Sequence, residues 1–121
     1  MKKKMDLDNF LKPIFSRKPT SVAALDVSNL TSYTDIIIII TGSSTRQTKS
    51  IAEHISMTLK KQGTQALGIE GAKEGRWILL DYGWVIVHVF DQETNDLYDL
   101  KNLWADAAAI DLTKYDLTKN D

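Results

Sequence analysis

An α+β domain, one mixed five-stranded sheet with flanking helices, is the fold class this sequence predicts. Three observations carry it. Apolar spacing switches between helical and strand periods in the order helix, strand, strand, helix, strand, strand, strand, helix. The unbroken run Ile36 to Ile40 asks for a strand covered on both faces. A chain of 121 residues holds one core, so these elements must close on a single sheet.

The first element places Leu7, Phe10, Leu11 and Ile14 at helical spacing, with Asp6 as cap. Pro13 removes one helical hydrogen bond, so a short or kinked helix ending before Pro19 is expected. Val22 to Val27 and Asp35 to Thr41 read as strands, the second central in the sheet. Gly42-Ser43-Ser44-Thr45 breaks the pattern and offers several N-caps. Thr48, Ile51, Ala52, Ile55 and Leu59 then form a helical stripe, closed by Lys60, Lys61 and Gly63. Ala66 to Ile69 is a short strand, and Glu70 to Gly75 a loop with two glycines. Trp77 to Tyr82 and Val85 to Phe90 are strands joined around Gly83, a hairpin pattern. Leu97, Leu100, Leu103, Trp104, Ala107 and Ala108 share one helical face, capped by Asn95 or Asp96. Residues 1–110 are expected to form one domain, and residues 111–121 a flexible tail.

Composition narrows the function. Fifteen basic against sixteen acidic side chains leave a net charge of −1, whereas a nucleic-acid binder normally carries a cationic excess. Little direct nucleic-acid contact is therefore expected, and a partner is to be met through protein. With zero cysteines there are no disulfides, thiolate metal sites or cysteine nucleophiles. Lys2-Lys3-Lys4 is followed by Asp6, Asp8 and Pro13, not by the apolar stretch of a signal peptide. The longest aliphatic run is roughly a quarter of a membrane-spanning helix. A soluble, cytoplasmic protein is the expectation.

The hairpin carries unusual apolar content. Alternation puts Trp77, Leu79 and Asp81 on one face of the first arm, and Ile78, Leu80 and Tyr82 on the other. In the second arm Val85, Val87 and Val89 oppose Ile86, His88 and Phe90. Such a ribbon is either sandwiched within the domain or completed by a partner. Tyr82 and Trp84 flank the turn glycine, where solvent exposure is expected, and aromatic residues there are typical interface anchors.

Catalytic patterns are weak. Gly42-Ser43 leads from a buried strand into a helix N-terminus, where free N–H groups can hold an anion. No Asp-x-Asp pair or full phosphate-loop pattern accompanies it, so a cap and a tight turn is the simpler reading. His54 lies at the edge of a helical stripe, where a surface or packing role is usual, and His88 on a strand face is a hydrogen-bonded structural residue. Two histidines without spaced partners make no metal site, and no cofactor is expected.

Leu25-Asp26-Val27-Ser28, Ser32-Tyr33-Thr34-Asp35, Thr41 to Arg46, Ile51-Ala52-Glu53-His54, Glu70-Gly71, Gly75 to Asp81, Val85 to Phe90, and Tyr98-Asp99-Leu100 through Leu103-Trp104 recur in a shared order and spacing. In these fragments the chain resembles the ribosomal silencing factors, the RsfS or Iojap family, over roughly Ala24 to Asp106. The resemblance implies a nucleotidyltransferase-like fold without the catalytic carboxylates. It implies a non-enzymatic protein that binds large-subunit ribosomal protein L-fourteen and blocks joining of the two subunits, repressing translation under nutrient limitation. It also implies a homodimer when free.

The family's turn reads Gly-Asp-Val-x-Val-His, whereas here Trp84 follows Gly83. The protein-binding residues expected on the hairpin are Trp77, Leu79, Asp81, Tyr82, Trp84 and His88, with His88 ordering the hairpin by hydrogen bonding. The alternatives are a nucleotide-binding enzyme of nucleotidyltransferase type using Gly42-Ser43, and a homodimer whose hairpin meets only itself.

Overall fold

A computed structural model describes residues 6–115, with the backbone alone at Tyr98, Leu100 and Lys101. In chain order the elements are α1 (Asp8–Ser16), β1 (Ser21–Asp26), β2 (Ile36–Gly42), α2 (Thr45–Lys61), β3 (Gly68–Glu70), β4 (Trp77–Asp81), β5 (Val85–Asp91), α3 (Gln92–Tyr98), α4 (Leu100–Leu103) and β6 (Ala108–Ala109), followed by a 3-10 turn at Thr113–Tyr115. The strands form one sheet in the order β3-β4-β5-β2-β1-β6. Among the described residues only the central pair, β2 and β5, is parallel.

All seven residues of β2 are buried, as the isoleucine run requires of a central strand. The stripe of α2 faces inward at Thr48, Ile51, Ala52, Ile55 and Leu59. Together with Phe10, Leu11 and Ile14 of α1 it covers one sheet face, built from Ile38, Ile40, Ile78, Leu80, Val87 and Val89. The opposite face holds a smaller cluster of Leu25, Val27, Ile37, Ile39 and Phe90, against which Trp77, Trp104 and Ala107 pack.

Helix ends follow side-chain chemistry. Ser44 caps α2 by accepting the Gln47 N–H at 3.2 Å. Ser44→Ala strands that donor and is expected to lower stability by about 1 kcal/mol in urea unfolding. At α1, Asp6 Oδ1 accepts the Asp8 N–H at 3.0 Å while Leu7 occupies the cap position. Pro13 sits inside the nine-residue helix, which ends at Ser16.

Four expectations are corrected. The sheet has six strands among the described residues, not five, because Ala108–Ala109 pairs with Leu25 and Asp26 of β1 where a helix was expected to continue. That helix is broken at Asp99, whose left-handed φ of 45° ends α3 and starts the short α4. The stripe is lost with it. Leu97 and Leu103 are 75% and 72% exposed, while Trp104 and Ala107 still reach the core. The α3 cap is Asp91, which accepts the Thr94 N–H at 2.8 Å, so the helix begins directly from β5 and not at Asn95 or Asp96. Finally, the start of the expected tail is packed. Leu112 and Tyr115 lie against the main core, with Tyr115 stacked on Phe15 at 5.8 Å. Residues 116–121, and Lys2 to Lys4, lie outside the described residues.

Candidate partner-binding site

The site is built by the β4–β5 register. Trp77 pairs with Phe90, Leu79 with His88 and Asp81 with Ile86, so these six side chains share one sheet face. Gly83, at φ +86°, turns the chain between the arms, and its N–H donates to Asp81 Oδ1 at 2.8 Å. One carboxylate oxygen of Asp81 therefore holds the turn.

Cover over this face runs out toward its edge. Trp104 and Ala107 pack against the cluster that holds Phe90, and Phe90 and Ile86 of β5 are both buried. On β4, Trp77, Leu79 and Asp81 are each half-buried. Among the described residues, only the three-residue β3 lies beyond β4 in the sheet, and its residues are all exposed. The indole of Trp77 rests on Phe90 with ring centroids 4.9 Å apart. Its Nε1–H donates to His88 Nδ1 at 3.0 Å. Burial lowers the His88 pKa from 6.5 to about 4, so the ring is neutral at pH 7, as an Nδ1 acceptor must be. His88 is thus hydrogen-bonded, with the Trp77 indole as the donor.

The loop before β4 anchors the start of the site. Gly71, at φ +80°, lies so close to the Trp77 carbonyl that an added Cβ would sit 2.1 Å from its oxygen. Thr48 of α2 donates its hydroxyl to the Gly75 carbonyl, tying the loop to the helix. Arg76 completes the clamp, its carbonyl accepting the Asp91 N–H at 3.0 Å.

Six residues were expected to form one protein-binding surface, and the structure divides them. Trp77, Leu79, Asp81 and His88 share the face just described, although His88 is only 9% exposed and offers little contact of its own. Tyr82 and Trp84 lie on the helical side. Their expected exposure at the turn is corrected: Tyr82 is 7% exposed and Trp84 half-buried, both edge-on to Phe10 at 5.1 and 6.0 Å. The cause is α1, which brings Phe10 down over the hairpin's end. Burial also raises the Tyr82 phenol's pKa. Sequence reasoning missed Leu97 and Leu103, exposed on α3 and α4, because it placed them in a core-facing stripe.

Elsewhere the structure spends the groups that chemistry would need. At the Gly42-Ser43 turn, the Ser43 N–H and hydroxyl both donate to Gln47 Oε1, at 2.6 and 2.9 Å. Gln47 Nε2 donates onward to the carbonyls of Arg17 and Lys18. The Gln47 amide therefore takes up the Ser43 N–H and hydroxyl, and the turn is a cap and strut. His54 bridges α1 and α2: Arg17 donates to its Nδ1 at 3.2 Å, and Ser16 Oγ lies 3.2 Å from its Nε2. Its pKa is lowered by burial, then by Arg17 and Lys61. Among the described residues no three His, Asp or Glu side chains gather as a metal site. No helix among them is long and apolar enough to cross a membrane.

Fold and site together define a small α+β domain with Trp77, Leu79 and Asp81 half-buried on one face near the edge of its sheet. Residues 2–121 match the family model described as ribosomal silencing factor during starvation. The chain is 40% identical over 87 residues to ribosomal silencing factor RsfS of Chromobacterium violaceum, covering 72% of this chain and 71% of that one. It is 33% identical over 96 residues to the protein of the same name from Halalkalibacterium halodurans, covering 79% and 82%. A crystal structure of a Chromobacterium violaceum protein superposes with a TM-score of 0.78 at 34% identity, covering 84% of this chain and 88% of that one. The chain belongs to the ribosomal silencing factor family. The relatives from Halalkalibacterium halodurans, Chromobacterium violaceum and Bacillus subtilis share the name ribosomal silencing factor RsfS.

Proposed function

We propose that this chain represses translation under nutrient limitation by seating the β4 margin on large-subunit ribosomal protein L-fourteen, so that its bulk keeps the small subunit from joining. The observation that carries the reading is the half-buried row Trp77, Leu79 and Asp81, left at the edge of the C-terminal cover. A tryptophan beside an aliphatic residue at such a margin has the make-up of an interface centre. The net charge of −1 favours protein over phosphate as the surface met. An ordinary interface hides about 800 Å² on each partner, so residues around β4 must join Trp77 and Leu79 in the contact. The protein acts by occupancy, in the cytoplasm, without a cofactor.

When free it forms a homodimer, and a surface shared between dimer and ribosome predicts that the large subunit dissolves it. The test is sedimentation of purified small and large subunits with increasing amounts of the chain. Joined particles are expected to decline as the chain co-migrates with the large subunit, and light scattering should show the large subunit dissolving the dimer. Undiminished joining at saturating protein would refute the reading.

A further inference from the structure

We infer that His88 is a positioning residue for Trp77, receiving the indole N–H and fixing the orientation in which the indole meets a docking partner. The inference rests on the docking role proposed for the β4 margin. Trp77 lies opposite Phe90 in the register, and its ring rests on that phenyl at 4.9 Å. Ring contact is less directional than a hydrogen bond. His88, the diagonal neighbour across the strand pair, accepts from the indole at 3.0 Å and so sets the direction in which its N–H points.

His88 is itself held. Its ring stacks on Phe90 with a 10° interplanar angle and a 6.0 Å centroid distance, and it is 9% exposed. It therefore acts on a partner through Trp77 and not by touch. An indole N–H is only a donor, so the accepting atom is the lone pair of Nδ1 and the ring's proton resides on Nε2. A side chain fixed before docking avoids the loss of rotamer freedom on binding, and the saving corresponds to roughly five- to tenfold in affinity.

The test measures binding to isolated large subunits for His88→Phe, His88→Asn, Trp77→Ala and the double variant His88→Phe/Trp77→Ala. The indole ¹⁵N–¹H signals are recorded in parallel for the wild type and each single variant. Phenylalanine keeps an aromatic ring and removes the acceptor, whereas asparagine Oδ1 stands near the place of Nδ1. His88→Phe is expected to bind about fivefold or more weakly and to shift the Trp77 indole signal upfield. His88→Asn should restore both to near the wild type. In the Trp77→Ala background, His88→Phe should add no further loss.

An equal loss in both backgrounds, an unmoved indole signal, or failure of the asparagine variant to rescue would overturn the positioning role. Unchanged binding by Trp77→Ala would instead sink docking through Trp77, and this inference with it. The two failures are told apart by which single variant fails to respond.

Discussion

Trp77→Ala is expected to weaken binding to isolated large subunits by more than about tenfold while the domain stays folded. The indole sits half-buried at the margin of the smaller core cluster, so docking would complete its burial. Truncating a central tryptophan of an interface commonly costs 2 kcal/mol or more, about thirtyfold in affinity. The folded state should tolerate the loss. Phe90, Ile37, Ile39, Leu25 and Val27 keep their mutual contacts, and the helical face of the sheet is untouched. Removal of a margin side chain should cost about 1–2 kcal/mol of stability, below what a fully buried tryptophan would. Co-sedimentation with large subunits, with circular dichroism as the folding control, measures both quantities. Unaltered co-sedimentation removes Trp77 from the site.

Acid should destabilise the protein by way of His88, by about 3 kcal/mol between pH 6.5 and pH 4. The sign follows from which state binds protons. In the unfolded chain the imidazole titrates near its model value of 6.5, whereas in the fold burial holds it down to about 4. Above pH 6.5 both states are neutral and the full stability is present. As pH falls through this window the unfolded chain gains a proton that the folded one refuses, so stability declines. It levels off below about pH 4, where the folded state accepts the proton and surrenders the Trp77 hydrogen bond. His54 is lowered too and adds a slope of the same sign. His88→Phe isolates the effect: its stability, from urea unfolding at several pH values, should fall less than the wild type's across this window. Parallel curves for the two proteins would contradict the burial of a neutral His88.

Where one face of an element is plainly apolar, the sequence announces its place. The isoleucines of β2 could only be central, and the Thr48-to-Leu59 stripe of α2 could only face a core. The hairpin was legible as a hairpin, since Gly83 sits where the chain reverses. Its two faces were not separable, because both are apolar and alternation alone cannot say which one a helix will cover. The structure resolves this through Phe10, which closes over Tyr82 and Trp84 and leaves Trp77 and Leu79 at the margin. The C-terminal stripe failed for a different reason. Spacing from Leu97 to Ala108 fits a helix, but a single left-handed residue, Asp99, interrupts it. The donor to His88 depended on strand register, which alternation within either arm does not supply.

Contact between the β4 margin and protein L-fourteen is open to a direct chemical readout. A photo-reactive residue placed by Leu79→p-benzoylphenylalanine, irradiated on purified large subunits and traced by mass spectrometry, tests this most directly. Cross-links to L-fourteen are expected, and they should vanish when Trp77→Ala is added. Cross-links confined to another ribosomal protein or to ribosomal RNA would contradict it.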